Sequence, residues 1–255
     1  MGIEKTSSVI LSILPYRESS CIITLFTSDH GRVSGIAKGV RRNSKQTLPL
    51  ERGFLIEHVV YFKSGRELQT LGDIRIDNYF PSVRGNLEKT TLRDIAFELL
   101  LLSITQSDPN PELFSLLTSF LDNLENSGSR GESFSVLWRF VFDFMVLMGF
   151  GVGFDKCTRC GEERIREEGG YLLVEKGTMI CGRCAPDYSL SKSNWMPGST
   201  ASYLLRNGSS AGKYDYSTEN LIRLTVLAVD YCRFHLDIRR ELKAVGFLRE
   251  MVDFG

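Results

Sequence analysis

Four cysteines constrain this 255-residue chain more tightly than any other feature. Cys157 and Cys160 are followed by Cys181 and Cys184, two CxxC pairs with 20 residues between them. A CxxC turn brings two sulfurs to one ion, and two such turns close a tetrahedral thiolate shell of the kind that selects zinc. Gly161, directly after the first pair, suits a tight turn of backbone around a metal. Between the pairs, "GGYLLVEKGTMIC" reads as a β-hairpin turning near Gly177. The spacing therefore predicts a zinc-ribbon-like module at about 154–190, pinned by one structural zinc ion on Cys157, Cys160, Cys181 and Cys184. Four thiolates leave no open position for catalysis, and no histidine lies between residues 59 and 234 to make a mixed site. A thioredoxin-type dithiol needs a single CxxC at a helix start, not two matched pairs. A DNA-gripping finger needs a basic face, whereas residues 149–190 carry 6 basic and 7 acidic side chains.

The first 80 residues have a different pattern. "TSSVILSIL", "SCIITLFT", "GRVSGIAKG", "FLIEHVVYF" and "ELQTLGDIRI" are short runs rich in β-branched and aromatic residues. "SDHG" at 28–31 suits a hairpin turn, with Gly31 able to take a positive φ. Five short strands at this density predict a small closed barrel, and the five-stranded nucleic-acid-binding barrel, the OB-fold, fits the size and count.

After Pro81 the period lengthens. Leu92, Ile95, Leu99 and Leu102 recur on one helical face, "PELFSLLTSFLDNLEN" continues as helix, and an apolar helix near 133–148 stops at Gly149. Arg139 and Asp143 interrupt the apolar stretch at 134–154, which makes it a core helix and not a membrane span. Leu221, Leu224, Ala228, Tyr231 and His235 define a further helix, and a last one is expected at about 239–249. The expected class is α+β and multidomain: an OB-fold barrel at 1–80, then an all-α helical domain at 81–255 into which the four-cysteine module is inserted.

The net charge is zero, but its distribution is uneven. Residues 1–80 hold 11 basic and 8 acidic side chains, and residues 81–148 hold 5 and 9. No acid occurs between Asp29 and Glu51, a span containing Arg32, Lys38, Arg41, Arg42 and Lys45. Strand alternation puts Arg32, Ser34, Ile36 and Lys38 on one face, with Val33, Gly35 and Ala37 on the other. Such a face suits tracking a phosphate backbone, and it equally suits a solvated edge strand whose charges block aggregation. Tyr16 and Phe62 are candidate stacking platforms, with no dense aromatic cluster around them. Binding is expected to be electrostatic and weakly sequence-selective.

Catalytic constellations are missing. His30, His58 and His235 lack spacing partners, and there is no phosphate-binding glycine loop, nucleophile elbow or HExxH. "EERIREE" reads as a solvated loop, and Cys21 and Cys232 as buried thiols in apolar runs. The protein is expected not to be an enzyme. Few cysteines and no leader-like N-terminus point to a reducing, cytoplasmic setting.

"SILPYRESSCIITLFTSDHGRVSGIAKGVRR" closely resembles the N-terminus of the bacterial RecO family of recombination mediators. The resemblance continues through "GRELQTL" (65–71), "LWRFVFDFMVLMGFGVGFDKCTRCG" (137–161) and "FHLDIRRELKAVGFL" (234–248). It implies binding to single- and double-stranded DNA, annealing of complementary strands, and work with RecR in loading RecA onto DNA coated by single-strand-binding protein, SSB. The family's barrel cations carry over to Arg32, Lys38, Arg41 and Arg42, with Lys45 in the same basic run. The family's site for the acidic, Phe-ended SSB tail carries over to Arg139 and Phe140, although Val141 stands where the family run has Glu. The competing reading of Arg139 is a helical pair with Asp143, four residues on. Beside the mediator reading stand a zinc-stabilised protein adaptor without DNA binding and a thiol redox enzyme.

Overall fold

A computed structural model describes residues 2–40, 49–63, 65–104, 108–205 and 217–253. By internal packing the chain divides into two compact units, residues 1–87 with 100–125 and residues 88–99 with 126–255.

The first unit contains the expected barrel. Strands β1 (Gly2–Tyr16), β2 (Ser20–Thr27), β3 (Gly31–Ala37), β4 (Leu55–Phe62) and β5 (Leu68–Asn78) close in the order β1-β2-β3-β5-β4. All pairings are antiparallel except β3 with β5, which runs parallel from Ser34↔Leu68 to Ala37↔Leu71. The long β1 serves two neighbours. Gly2–Val9 pair with β4, Ser8–Tyr16 pair with β2, and a register shift between Ile10 and Ser12 bends the strand. Ile10, Ile23, Leu25, Ile56 and Val60 fill the interior at zero exposure, so alternate positions of each strand are committed to one core. The β2–β3 turn is held locally. Asp29 accepts hydrogen bonds from the Ser28 hydroxyl at 2.6 Å and the Thr6 hydroxyl at 2.7 Å, which hold its carboxyl below the usual range.

Helices α1 (Pro81–Gly85), α2 (Leu87–Ser103) and α3 (Pro111–Asn126) follow. The short α1 was not foreseen, because its N-terminus is satisfied from a distance. Glu125 accepts from the backbone N–H groups of Ser82 and Val83, both at 2.9 Å. In α3, Pro111 occupies the first turn and Leu113, Leu117, Phe120, Leu121 and Leu124 are buried at helical spacing. Residues 100–125, which the sequence reading gave to the helical domain, pack in the barrel's unit. Gly31 shows how close that packing is. At φ 60° it sits where a Cβ would stand 2.0 Å from the carbonyl oxygen of Asp108.

The second unit is built on α4 (Arg130–Leu147), whose start carries a Ser129–Glu132 capping box. Phe134, Leu137, Trp138, Val141, Phe144 and Met145 on α4 are buried, and the Trp138 indole donates to the Thr225 hydroxyl at 3.0 Å. The chain then passes through α5 (Ile165–Glu168) into a three-stranded sheet of β6 (Gly170–Leu173), β7 (Thr178–Ile180) and β8 (Trp195–Met196), ordered β7-β6-β8. Helices α6 (Gly198–Leu205), α7 (Thr218–His235) and α8 (Lys243–Asp253) complete it. The last helix begins four residues later than its expected start. Glu98 sets that start by accepting from the N–H groups of Lys243 and Ala244 at 2.7 and 3.2 Å. No described helix is long and apolar enough to cross a membrane.

Candidate nucleic-acid interface and metal centre

Strand β3 alternates as its sequence requires. Val33, Gly35 and Ala37 are buried, Arg32, Ser34 and Ile36 are half-buried, and Lys38 is exposed at the strand's end. The four residues predicted to share a face therefore do so, but their environments differ. The Arg32 guanidinium donates to the carbonyl oxygens of Leu101 at 3.0 Å and Ile104 at 2.7 Å. These are carbonyls at the C-terminal end of α2, where the helix leaves acceptors unsatisfied and favours a cation. Arg32 thus ties the barrel to α2, a structural task that its place in a basic run concealed. Arg41, Arg42 and Lys45 lie outside the described residues.

Lys38 borders a cleft of about 580 Å³ at the β1–β2 end of the barrel. Tyr16, Arg17, Ser19 and Ser20 line it from the β1–β2 hairpin end, and Ile36, Lys38 and Gly39 from the end of β3. The Arg17 guanidinium lies 5.2 Å from the centre of the Tyr16 ring, a cation–π distance. No carboxylate lines the cleft among the described residues. Arg17 is not among the candidate cations of the sequence, because it lies outside the acid-free run that follows Asp29. Its one sequence signal is its place beside Tyr16 in the turn that faces the end of β3.

The cysteine module folds as its spacing predicts. Gly161 N–H donates to Cys157 O at 2.8 Å, and Ala185 N–H donates to Cys181 O at 3.1 Å, so each CxxC forms a closed turn. The intervening hairpin pairs Tyr171 with Ile180 and turns at Gly177, whose φ is 62°. The four Sγ atoms all lie within 4.8 Å of one another. Cys160 and Cys181 are 3.8 Å apart at sulfur, far beyond a disulfide bond. That separation matches the edge of a tetrahedron with metal–sulfur bonds of ~2.3 Å. The four residues can hold a metal ion.

Electrostatics inside the cluster agree with a cation there. Burial raises the Cys157 thiol, but backbone N–H groups from the knuckles outweigh it and bring the thiol down to about 6. Burial and the neighbouring sulfurs push Cys184 up to about 12. One thiolate is supported by the backbone, and the next must ionise beside it. A bound cation removes that conflict.

The Arg139 region is unlike the carried-over site. Arg139 donates to the backbone oxygens of Tyr203 and Leu204 on α6, and its guanidinium lies 5.0 Å from the Tyr203 ring centre. Asp143 stands 3.9 Å away, a loose version of the helical pair. Burial raises the Asp143 carboxyl above its ordinary range and Arg139 counteracts this. Phe140 is 1% exposed and stacks on Phe144, with ring centres 6.2 Å apart. Phe140 thus packs in the helical core, and Arg139 reaches the α6 carbonyls.

Comparison with known proteins agrees with this architecture. The family model described as "Recombination protein O N terminal" matches residues 1–80, and "Recombination protein O C terminal" matches residues 84–243. The chain belongs to the RecO family. It is 29% identical to the DNA repair protein RecO of Geobacter metallireducens, over 97% of each chain. It is 30% identical to that of Chlorobium limicola over 92% of this chain and 93% of the relative. With the RecO of Pelobacter propionicus it shares 31% identity over 71% of this chain and 72% of the relative. The RecO N-terminal match coincides with the closed barrel, and the C-terminal match takes in α2 to α7 and all four cysteines.

Proposed function

We propose that this RecO-family chain is a DNA-binding recombination mediator. It binds single- and double-stranded DNA, anneals complementary strands and, with RecR, helps load RecA onto SSB-coated DNA. RecA is an indirect partner, and the SSB tail docks on the helical part of the chain. The action is binding and positioning in the cytoplasm, with no catalytic step of its own. Zinc is the ion proposed for the cysteine cluster, because four thiolates at tetrahedral spacing suit it better than harder cations. When bound, it supplies a fixed crosslink between the two knuckles, and Cys157, Cys160, Cys181 and Cys184 would hold it.

The observation that carries this reading is the cation-bordered cleft beside β3, lined by no carboxylate among the described residues, on a closed five-stranded barrel. Lys38 and Arg17 approach it from two different strand ends and can neutralise successive phosphates without reading a base. Arg41, Arg42 and Lys45 continue the same charge in sequence. Annealing fits such a surface, since charge neutralisation reduces the repulsion between two strands.

The test is single-stranded DNA binding as a function of salt. Each phosphate contact removed is expected to flatten the slope of log K against log salt by about 0.7. The combined variant Lys38→Ala, Arg41→Ala, Arg42→Ala should therefore lose affinity and salt dependence together. Affinity and slope equal to the parent protein's would remove the barrel as the DNA site.

A further inference from the structure

We propose that the cleft at Tyr16 is a subsite for one unpaired nucleotide of a single strand, with its base stacked on the Tyr16 ring and its phosphate between Arg17 and Lys38. This rests on the reading of the barrel as the DNA-binding element, and adds to it a preference that charge alone does not supply.

Size and lining carry the argument. The cleft's volume of about 580 Å³ falls within the ~300–1,000 Å³ of sites that enclose a small organic ligand. Its apolar surface comes from Tyr16 and Ile36, its hydroxyls from Ser19 and Ser20, and its cations from Arg17 and Lys38. A nucleotide needs the same three components: a flat face, hydrogen-bond partners and a positive charge. The aromatic ring accepts any base, because every base has a π-face.

The turn that presents these groups is held in an uncommon conformation. Tyr16 pairs with Ser20, so only three residues close the β1–β2 hairpin. Arg17 is one of them, at φ 53°, in the left-handed region that disfavours a bulky side chain. Such strain persists where the surroundings enforce it and is concentrated at binding sites. The Arg17 guanidinium lies over the Tyr16 ring, 5.2 Å from its centre. An incoming base replaces one flat partner of that ring by another and releases the guanidinium toward the phosphate. A paired base in a duplex is already stacked on its neighbours and cannot enter. Duplex DNA therefore meets only the cations.

The experiment uses the full chain and three probes of equal length: oligo(dT), an abasic phosphodiester strand and a duplex. Tyr16→Ala is expected to weaken oligo(dT) binding about tenfold, with the abasic strand and the duplex within twofold of the parent. Tyr16→Phe should restore oligo(dT) binding. A 2-aminopurine strand should be quenched on binding the parent protein and Tyr16→Phe. Absence of quenching with the parent protein overturns the subsite without any variant. Equal losses on all three probes, or no loss on oligo(dT), overturn it as well. Lys38→Ala separates the two readings. If it weakens all three probes while Tyr16→Ala is silent, the barrel stays the DNA site and the nucleotide subsite falls. If the parent protein binds none of the probes, the DNA-binding reading falls and the subsite with it.

Discussion

The barrel closes five strands of 7 to 15 residues into a continuous hydrogen-bonded ladder around one hydrophobic core. The sheet of the cysteine module has three strands of 4, 3 and 2 residues. A sheet that small is marginal in water by itself; its Leu172, Met179 and Ile180 are buried, and an ion held by the four sulfurs would add a crosslink. The two regions also differ in how openly they declare themselves. The cysteines are conspicuous in sequence and can hold a metal ion. The cleft beside β3 is inconspicuous, and it is where cations, hydroxyls and an aromatic ring meet. A strong motif marks where a chain needs a staple, which is a different question from where it meets its partner.

The sharpest way to break the comparison is to take away the staple. Chelation, or Cys157→Ser, is expected to abolish hydrogen-exchange protection across 157–184 while protection in β1–β5 stays unchanged. Equal loss in both regions would show that the barrel leans on the metal. The next largest effect belongs to the barrel's own unit. Gly31→Ala places a Cβ 2.0 Å from the Asp108 carbonyl oxygen at a φ of 60°. It should cost about 4 kcal/mol in denaturant unfolding, at the top of the range for one substitution. A loss below about 1 kcal/mol would mean that residues 108 and 31 separate freely.

A smaller effect comes from His58, fully buried in the barrel and 2.7 Å from the Ser8 hydroxyl. Burial lowers its pKa from 6.5 to about 4. The folded state therefore disfavours the charged ring. Its contribution is complete above pH 6.5 and is lost as the pH falls from there through 4. At 1.36 kcal/mol per unit this amounts to at most about 3 kcal/mol. Barrel stability measured across that window should fall in the parent and flatten in His58→Gln; parallel curves would count against the buried ring as the cause. The smallest effect separates structure from binding within β3. Arg32→Ala removes two charge-assisted bonds to α2 and should cost about 2 kcal/mol of stability. Lys38→Ala should leave stability within about 0.5 kcal/mol. The reverse ranking would return Arg32 to the DNA-facing set.

Much of the fold was legible because it depends on local repetition. Short runs rich in β-branched and aromatic residues revealed all five barrel strands to within a few residues, helical spacing revealed α2 and α7, and apolar runs revealed α3 and α4. The knuckles were legible because a metal's bond length dictates which residue spacings can share it. The misses have two causes. α1 and α8 begin where Glu125 and Glu98 cap them, each from another helix. α6 is only eight residues long and begins with glycine, so its period is too short to read. The candidate site divided in the same way. The face shared by Arg32 and Lys38 followed from alternation, but the divergent uses of the two cations did not.

The sequence by itself determined the barrel, the helical character of the second part and the geometry of the four sulfurs. Each follows from side-chain periodicity or from ligand spacing, which neighbours in the chain suffice to set. Only the tertiary structure decided what the charged groups do. It sent Arg32 to the end of α2, Arg139 to the carbonyls of α6, and Arg17 and Lys38 to the lining of one cleft. A long cationic side chain takes whichever acceptor the fold brings within a few ångströms, and that acceptor is set by contacts between residues far apart in sequence.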